Sequence, residues 1–106
     1  MKLTDLDPRF ENAVASRPSR CGVTLSFACP CATCAPKALR ERYRIELSLS
    51  NPLDGGEPYA GQGLEGRFWT REGNGSDLAT LTIAEAIDFS LEGHWAGRVT
   101  GGEVVG

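Results

Sequence analysis

The chain has 106 residues and a formal net charge of −3; 41% of it is hydrophobic and 24% charged. That is the length of one domain, residues 1–106, and the composition of a folded globular protein rather than a disordered one. The mildly acidic balance argues against a dedicated nucleic-acid binder, whose footprint is a basic face, and nothing approaches the run of about 18 apolar residues that would span a membrane.

The first residues, Met1-Lys2-Leu3-Thr4-Asp5, contain no apolar stretch of the kind a secretory signal needs, so a soluble protein of a reducing cytoplasm is expected. Asp7-Pro8 suits the start of a short helix over residues 8–15, with Asp7 as its N-cap. Residues 23–27 alternate, Val23, Leu25 and Phe27 against Thr24 and Ser26, and predict a strand that runs into a cluster of cysteines. The clearest period of two is at residues 43–50, where Tyr43, Ile45, Leu47 and Leu49 face away from Arg44, Glu46, Ser48 and Ser50. Residues 51–66 hold two prolines and five glycines and read as a long loop.

Strand character resumes at residues 67–71 and again at 78–83, with a turn between them. Ala84-Glu85-Ala86 could add a helical turn. Residues 95–100, then Gly101-Gly102, then residues 103–105 read as a β-hairpin, because paired glycines meet the positive φ angles of a tight primed turn. The expected architecture is a single, mainly antiparallel β domain of about six short strands, with at most one short helix and a zinc-knuckle corner.

Chemistry concentrates in the cysteines. Three of the four, Cys29, Cys31 and Cys34, fall within six residues, and Cys21 stands apart. In a reducing compartment clustered thiols bind metal or do redox chemistry more often than they form disulfides. Tetrahedral zinc takes four soft or borderline ligands, and Cys31-x-x-Cys34 has the spacing by which one tight turn supplies two. Cys29 is a third candidate, although Cys-Pro-Cys is cramped, and His94, the chain's only histidine, is the candidate fourth; Cys21 is the substitute. No second Cys-x-x-Cys is present, so buried cysteines without a metal remain the competing reading. A redox dithiol is a third, weakened because no helix follows to lower a thiol pKa.

Other signals are weaker. Gly61-Gln62-Gly63-Leu64-Glu65-Gly66 matches a dinucleotide-binding pattern, but it precedes a strand instead of opening a helix and reads as loop. Lys37, Arg40, Arg42 and Arg44 form a basic cluster interrupted by Glu41 and Glu46, which reads as a solvated rim. Asn74-Gly75-Ser76 is a formal glycosylation site with no meaning for a protein that is not secreted. A Cys–His nucleophilic pair has no third orienting group, and no two carboxylates stand out as acid and base. Trp69 and Trp95 read as core.

In order along the chain come Leu6-Asp7-Pro8-Arg9-Phe10, Phe27-Ala28-Cys29-Pro30, Trp69, Leu81-Thr82-Ile83 and the ending Gly93-His94-Trp95-Ala96-Gly97-Arg98-Val99-Thr100-Gly101-Gly102-Glu103-Val104. This pattern resembles a family of small phage and prophage proteins of unknown function, often mislabelled "ammonia monooxygenase". The resemblance covers most of the chain, loosely in the middle. It implies a metal site joining a Cys-Pro knuckle to a C-terminal Cys/His-Trp-Gly hairpin. This chain departs from it, with Gly93 where the hairpin cysteine is expected and Ala96 where a second histidine would stand. The resemblance therefore implies either that Cys29, Cys31 and Cys34 ligate zinc with His94, or that the site has been lost.

The expected function is that of a non-enzymatic, phage- or prophage-encoded accessory protein of the host cytoplasm or virion. Its partner would be another protein: a phage structural protein, as for a virion or assembly component, or a host defence complex. In the latter case it would inhibit a host system such as a CRISPR effector. A small zinc or cysteine enzyme is the remaining alternative, and it would need an open coordination position.

Overall fold

The computed structural model describes residues 1–11, 22–58, 67–72 and 77–106. Its strands are β1 (Arg9–Glu11), β2 (Thr24–Ala28), β3 (Arg44–Ser48), β4 (Ile87–Asp88), β5 (Ala96–Thr100) and β6 (Glu103–Val105). They make two three-stranded antiparallel sheets, ordered β1-β2-β3 and β4-β5-β6. Among the described residues helical structure is confined to 3-10 turns, as at Leu3–Leu6, Leu39–Glu41 and Ser90–Glu92. The mainly antiparallel β architecture read from the alternation is the one observed.

The second and third strands follow their sequence pattern closely. Phe27 pairs with Ile45 and Leu25 with Leu47, and all four side chains are buried. Ser26, on the opposite face, is buried too, because β2 is the central strand and its other face is covered. The Ser26 hydroxyl is satisfied by the Arg44 guanidinium, whose Nη2 donates to it at 2.8 Å and to the Asp7 carbonyl at 2.9 Å. The predicted hairpin is β5 and β6, with Gly101 at φ 55° and Gly102 at φ 80° in its turn.

Four local expectations are corrected. Residues 9–11 are strand β1, not helix, Pro8 is not helical either, and residues 12–15 of the expected helix lie outside the described residues. Asp7 adopts φ 50° and closes the 3-10 turn at Leu3–Leu6, so it ends a helical segment instead of capping a new one. Residues 78–80 are a turn: the Asp77 carboxylate accepts the Ala79 N–H at 2.9 Å, and the Asp77 carbonyl accepts that of Thr80 at 3.1 Å. This Asx geometry outcompetes strand propensity. In that region only Ile83 makes a ladder contact, a single bridge to Arg71. Residues 84–86 form no helical turn and lead directly into β4. The glycine-rich 61–66 segment, Asn74-Gly75-Ser76 and Cys21 lie outside the described residues.

The two sheets share one core. Trp69 bridges to Leu49 beyond the end of β3, Arg71 to Ile83, and the Ile83 N–H donates to the Val99 carbonyl of β5 at 3.0 Å. Trp69 and Trp95 are both buried, as expected of core tryptophans. Phe27 of β2 meets Trp95 edge-on, ring centroids 5.8 Å apart, and Trp69 stacks on Phe89 at 6.2 Å. The ends of β2 and β5 therefore meet at one corner, where the cysteines lie.

Candidate metal centre

Cys29 is the first residue after β2, and its N–H donates to the Tyr43 carbonyl at 2.8 Å, extending the β2–β3 ladder by one step. Pro30 stops the strand, since it has no N–H to continue pairing. The chain then turns: the Cys31 carbonyl accepts the N–H of Cys34 at 3.1 Å and of Ala35 at 2.8 Å. Two of the basic residues brace this region. Arg42 donates to the carbonyls of Ala35 at 2.8 Å and Lys37 at 3.0 Å, closing the exit of the knuckle, while Arg44 serves Ser26.

The fourth residue arrives from the other sheet. After β4, the Asp88 carboxylate accepts both the N–H and the hydroxyl of Ser90, at 2.9 and 2.6 Å, which holds its carboxyl below the ordinary value. The 3-10 turn Ser90–Glu92 ends at Gly93, whose φ of 78° is left-handed and favours glycine. The His94 N–H then donates to the Phe89 carbonyl at 3.1 Å. Gly93 is thus needed for the backbone path at the position where the resemblance expects a cysteine.

These elements bring Cys29, Cys31, Cys34 and His94 together. Their ligand atoms all lie within 4.8 Å of one another. His94 Nδ1 is 3.7 Å from Cys29 Sγ and 3.7 Å from Cys34 Sγ. A tetrahedral zinc ion with thiolate and imidazole ligands separates such atoms by about 3.5–3.8 Å, from its bond lengths. The residue types and their spacing fit one metal ion. Cys29 and Cys34 are buried, whereas Cys31 and His94 are partly exposed.

The surroundings polarise the sulfurs unequally. Burial pushes the Cys29 thiol up to about 11, opposed by backbone N–H groups of Cys31 and Trp95 directed at its sulfur. Desolvation pushes Cys31 up as well, but hydrogen bonds from His94, Cys29 and Cys34 outweigh it and bring the group down to about 6. Backbone N–H groups aimed at sulfur stabilise thiolates and fix their direction, the role of outer-shell donors in metal sites.

The sequence points to the four candidate ligands but not to their support. The Tyr43 ring stacks on the His94 imidazole, and its hydroxyl donates to Glu92 Oε2 at 3.2 Å. Partial burial and the Glu92 carboxylate raise the Tyr43 pKa. The only hint in the sequence is that Tyr43 heads the alternating face of β3 yet is the aromatic member of it; Ile45, Leu47 and Leu49 are buried and Tyr43 is 39% exposed.

No family model, curated protein or solved structure matches this chain. Among the described residues no helix is long and apolar enough to cross a membrane.

Proposed function

We propose that Cys29, Cys31, Cys34 and His94 hold one structural Zn²⁺, and that the chain is a phage- or prophage-encoded accessory protein that acts by binding another protein, as a virion or assembly component. The observation that carries the first half is closure. Four candidate ligand atoms within 4.8 Å of one another are enough to fill a tetrahedral shell, whereas catalytic zinc keeps a position open for water. Thiolate-rich tetrahedral sets favour zinc over the harder divalent ions. Two of the ligand-bearing segments belong to different sheets, so the ion clamps the β2 end to the turn before β5.

The second half is supported by the surface around that corner. Leu91 is fully exposed on the Ser90–Glu92 turn, Tyr43 sits beside the same turn through its bond to Glu92, and Leu39 is exposed on the turn after the knuckle. Exposed apolar and aromatic groups on rigid turns suit a protein partner better than a small substrate. The resemblance to phage proteins supplies the setting, in the host cytoplasm or the virion.

The test is to express a tagged chain during phage propagation and fractionate particles and assembly intermediates on a density gradient. The proposal expects the chain in one of those fractions. Its absence from both, with recovery of a single bacterial complex instead, would replace the virion role by inhibition of a host system.

A further inference from the structure

The metal corner carries an asymmetry that a purely structural site does not require. Cys29 and Cys34 are 0% and 2% exposed, whereas Cys31 is partly exposed, so of the three thiols of the set it is the one a small oxidant reaches most readily. That sulfur is also positioned to form a disulfide. The bond from the Cys34 N–H to the Cys31 carbonyl, 3.1 Å long, closes a tight turn. Such a turn keeps its first and last Cα atoms within about 7 Å, which overlaps the span of about 4.4–6.8 Å that a disulfide bridges. Cys29 is separated from Cys31 by Pro30 alone, whose fixed φ leaves the pair little freedom to close.

We propose that the corner is a peroxide-sensitive switch: a hydroperoxide oxidises Cys31, a Cys31–Cys34 disulfide forms, and the metal leaves, unclamping the two sheets. This rests on the zinc reading above. The Cys31 thiolate sulfur attacks one peroxide oxygen; an S–O bond forms, the O–O bond breaks, and hydroxide (alkoxide from an alkyl hydroperoxide) departs. Sulfur is oxidised by two electrons and the peroxide is reduced by two. The Cys34 thiolate then attacks the Cys31 sulfur, an S–S bond forms, the S–O bond breaks and hydroxide leaves. Two protons from solvent convert the leaving groups to water or to water and alcohol.

Two of the four ligands are then gone, and Cys29 with His94 alone cannot retain Zn²⁺ in competition with a chelator. The consequence falls on residues 88–94, which include the exposed Leu91 and are tied to the first sheet at this corner through His94 and the Tyr43–Glu92 bond. Oxidation would therefore loosen the turn that presents the apolar surface. Reduction with zinc present would rebuild it.

The experiment uses the full chain and measures its zinc content first. Hydrogen peroxide is then added in the presence of a chromogenic zinc chelator, and cysteine connectivity is mapped by peptide mass spectrometry. The expected result is release of one zinc per chain, a disulfide joining Cys31 to Cys34, and reloading after dithiothreitol and zinc. Cys31→Ser should form no such disulfide; because it could fail to fold, Cys31→His serves as the second variant: it keeps four ligands, and its zinc should be released at least 10-fold more slowly. Zinc retained under excess peroxide, or a disulfide through Cys29, overturns the switch and leaves the zinc reading standing. A chain that binds no zinc before peroxide is added overturns both.

Discussion

The imidazole of His94 lies against the phenol ring of Tyr43, centroids 3.8 Å apart and planes 14° from parallel. Tyr43 directly precedes β3 in one sheet, and His94 closely precedes β5 in the other. The stack therefore holds the ring of the single candidate nitrogen ligand, and the Tyr43–Glu92 bond ties Tyr43 to the turn that leads to His94. Outer-shell hydrogen bonds that fix a ligand ring are worth about 10–100-fold in metal affinity at other sites, and a stack that fixes the ring belongs at the low end of that range. Tyr43→Ala is expected to weaken zinc binding by about 10-fold, measured by competition with a chromogenic chelator. Tyr43→Phe keeps the ring and should stay near the parent value. Equal losses in both variants would show that the hydroxyl, not the stack, positions His94.

Removal of a metal bound here should be felt by the whole fold, because the four candidate ligands lie on segments that follow β2 of one sheet and precede β5 of the other. An ion present at about 1,000 times its dissociation constant stabilises by about 4 kcal/mol. For a domain near this size that corresponds to a drop in Tm on the order of 20 °C on chelation. Cys31→Ser and His94→Ala should show comparable drops without chelator and no further change with it. Unchanged melting in either variant would contradict a structural role for the site.

In the metal-free protein the three thiols should differ in reactivity. Cys31 is partly exposed and its thiol is lowered to about 6, so at neutral pH it is largely thiolate. Cys29 is buried and raised to about 11, so it stays protonated. Of these three thiols, iodoacetamide should label Cys31 first, with a rate that falls as the pH drops through about 6. Zinc should slow labelling of all three, and of Cys31 least. Preferential labelling of Cys29 would contradict this account of the pocket.

The two turn glycines of the hairpin separate backbone strain from crowding. Both have positive φ, 55° at Gly101 and 80° at Gly102. A Cβ on Gly101 meets nothing within 4 Å, so Gly101→Ala should cost only the left-handed strain, about 1 kcal/mol. A Cβ on Gly102 would run into the Ala79 carbonyl, and Gly102→Ala should cost about 3 kcal/mol or more in urea denaturation. Equal costs would mean that the turn shifts away from residue 79 at no penalty.

Much of this geometry is legible in the sequence where local pattern and tertiary demand agree. β2 and β3 alternate because each buries one face of apolar residues, and Gly101-Gly102 marks its hairpin because few other pairs tolerate those φ angles. Cys29, Cys31, Cys34 and His94 stand out because thiols clustered within six residues and a lone histidine have few other joint uses. What stays hidden depends on partners distant in sequence. Ser26 alternates like a solvent-facing residue and is buried because β2 is central and Arg44 reaches across to it. Residues 9–11 look helical beside Asp7-Pro8, yet they gain ladder partners in β2 that no local signal announces. Tyr43 acts on His94 across 51 positions, a contact created by the meeting of two sheets.

Native mass spectrometry of the purified chain, before and after acid denaturation, tests the central claim most directly. The account predicts a folded species heavier than the polypeptide by one zinc ion, with the excess lost on denaturation. A folded species at the mass of the bare polypeptide, after purification without chelator and incubation with zinc, would contradict it.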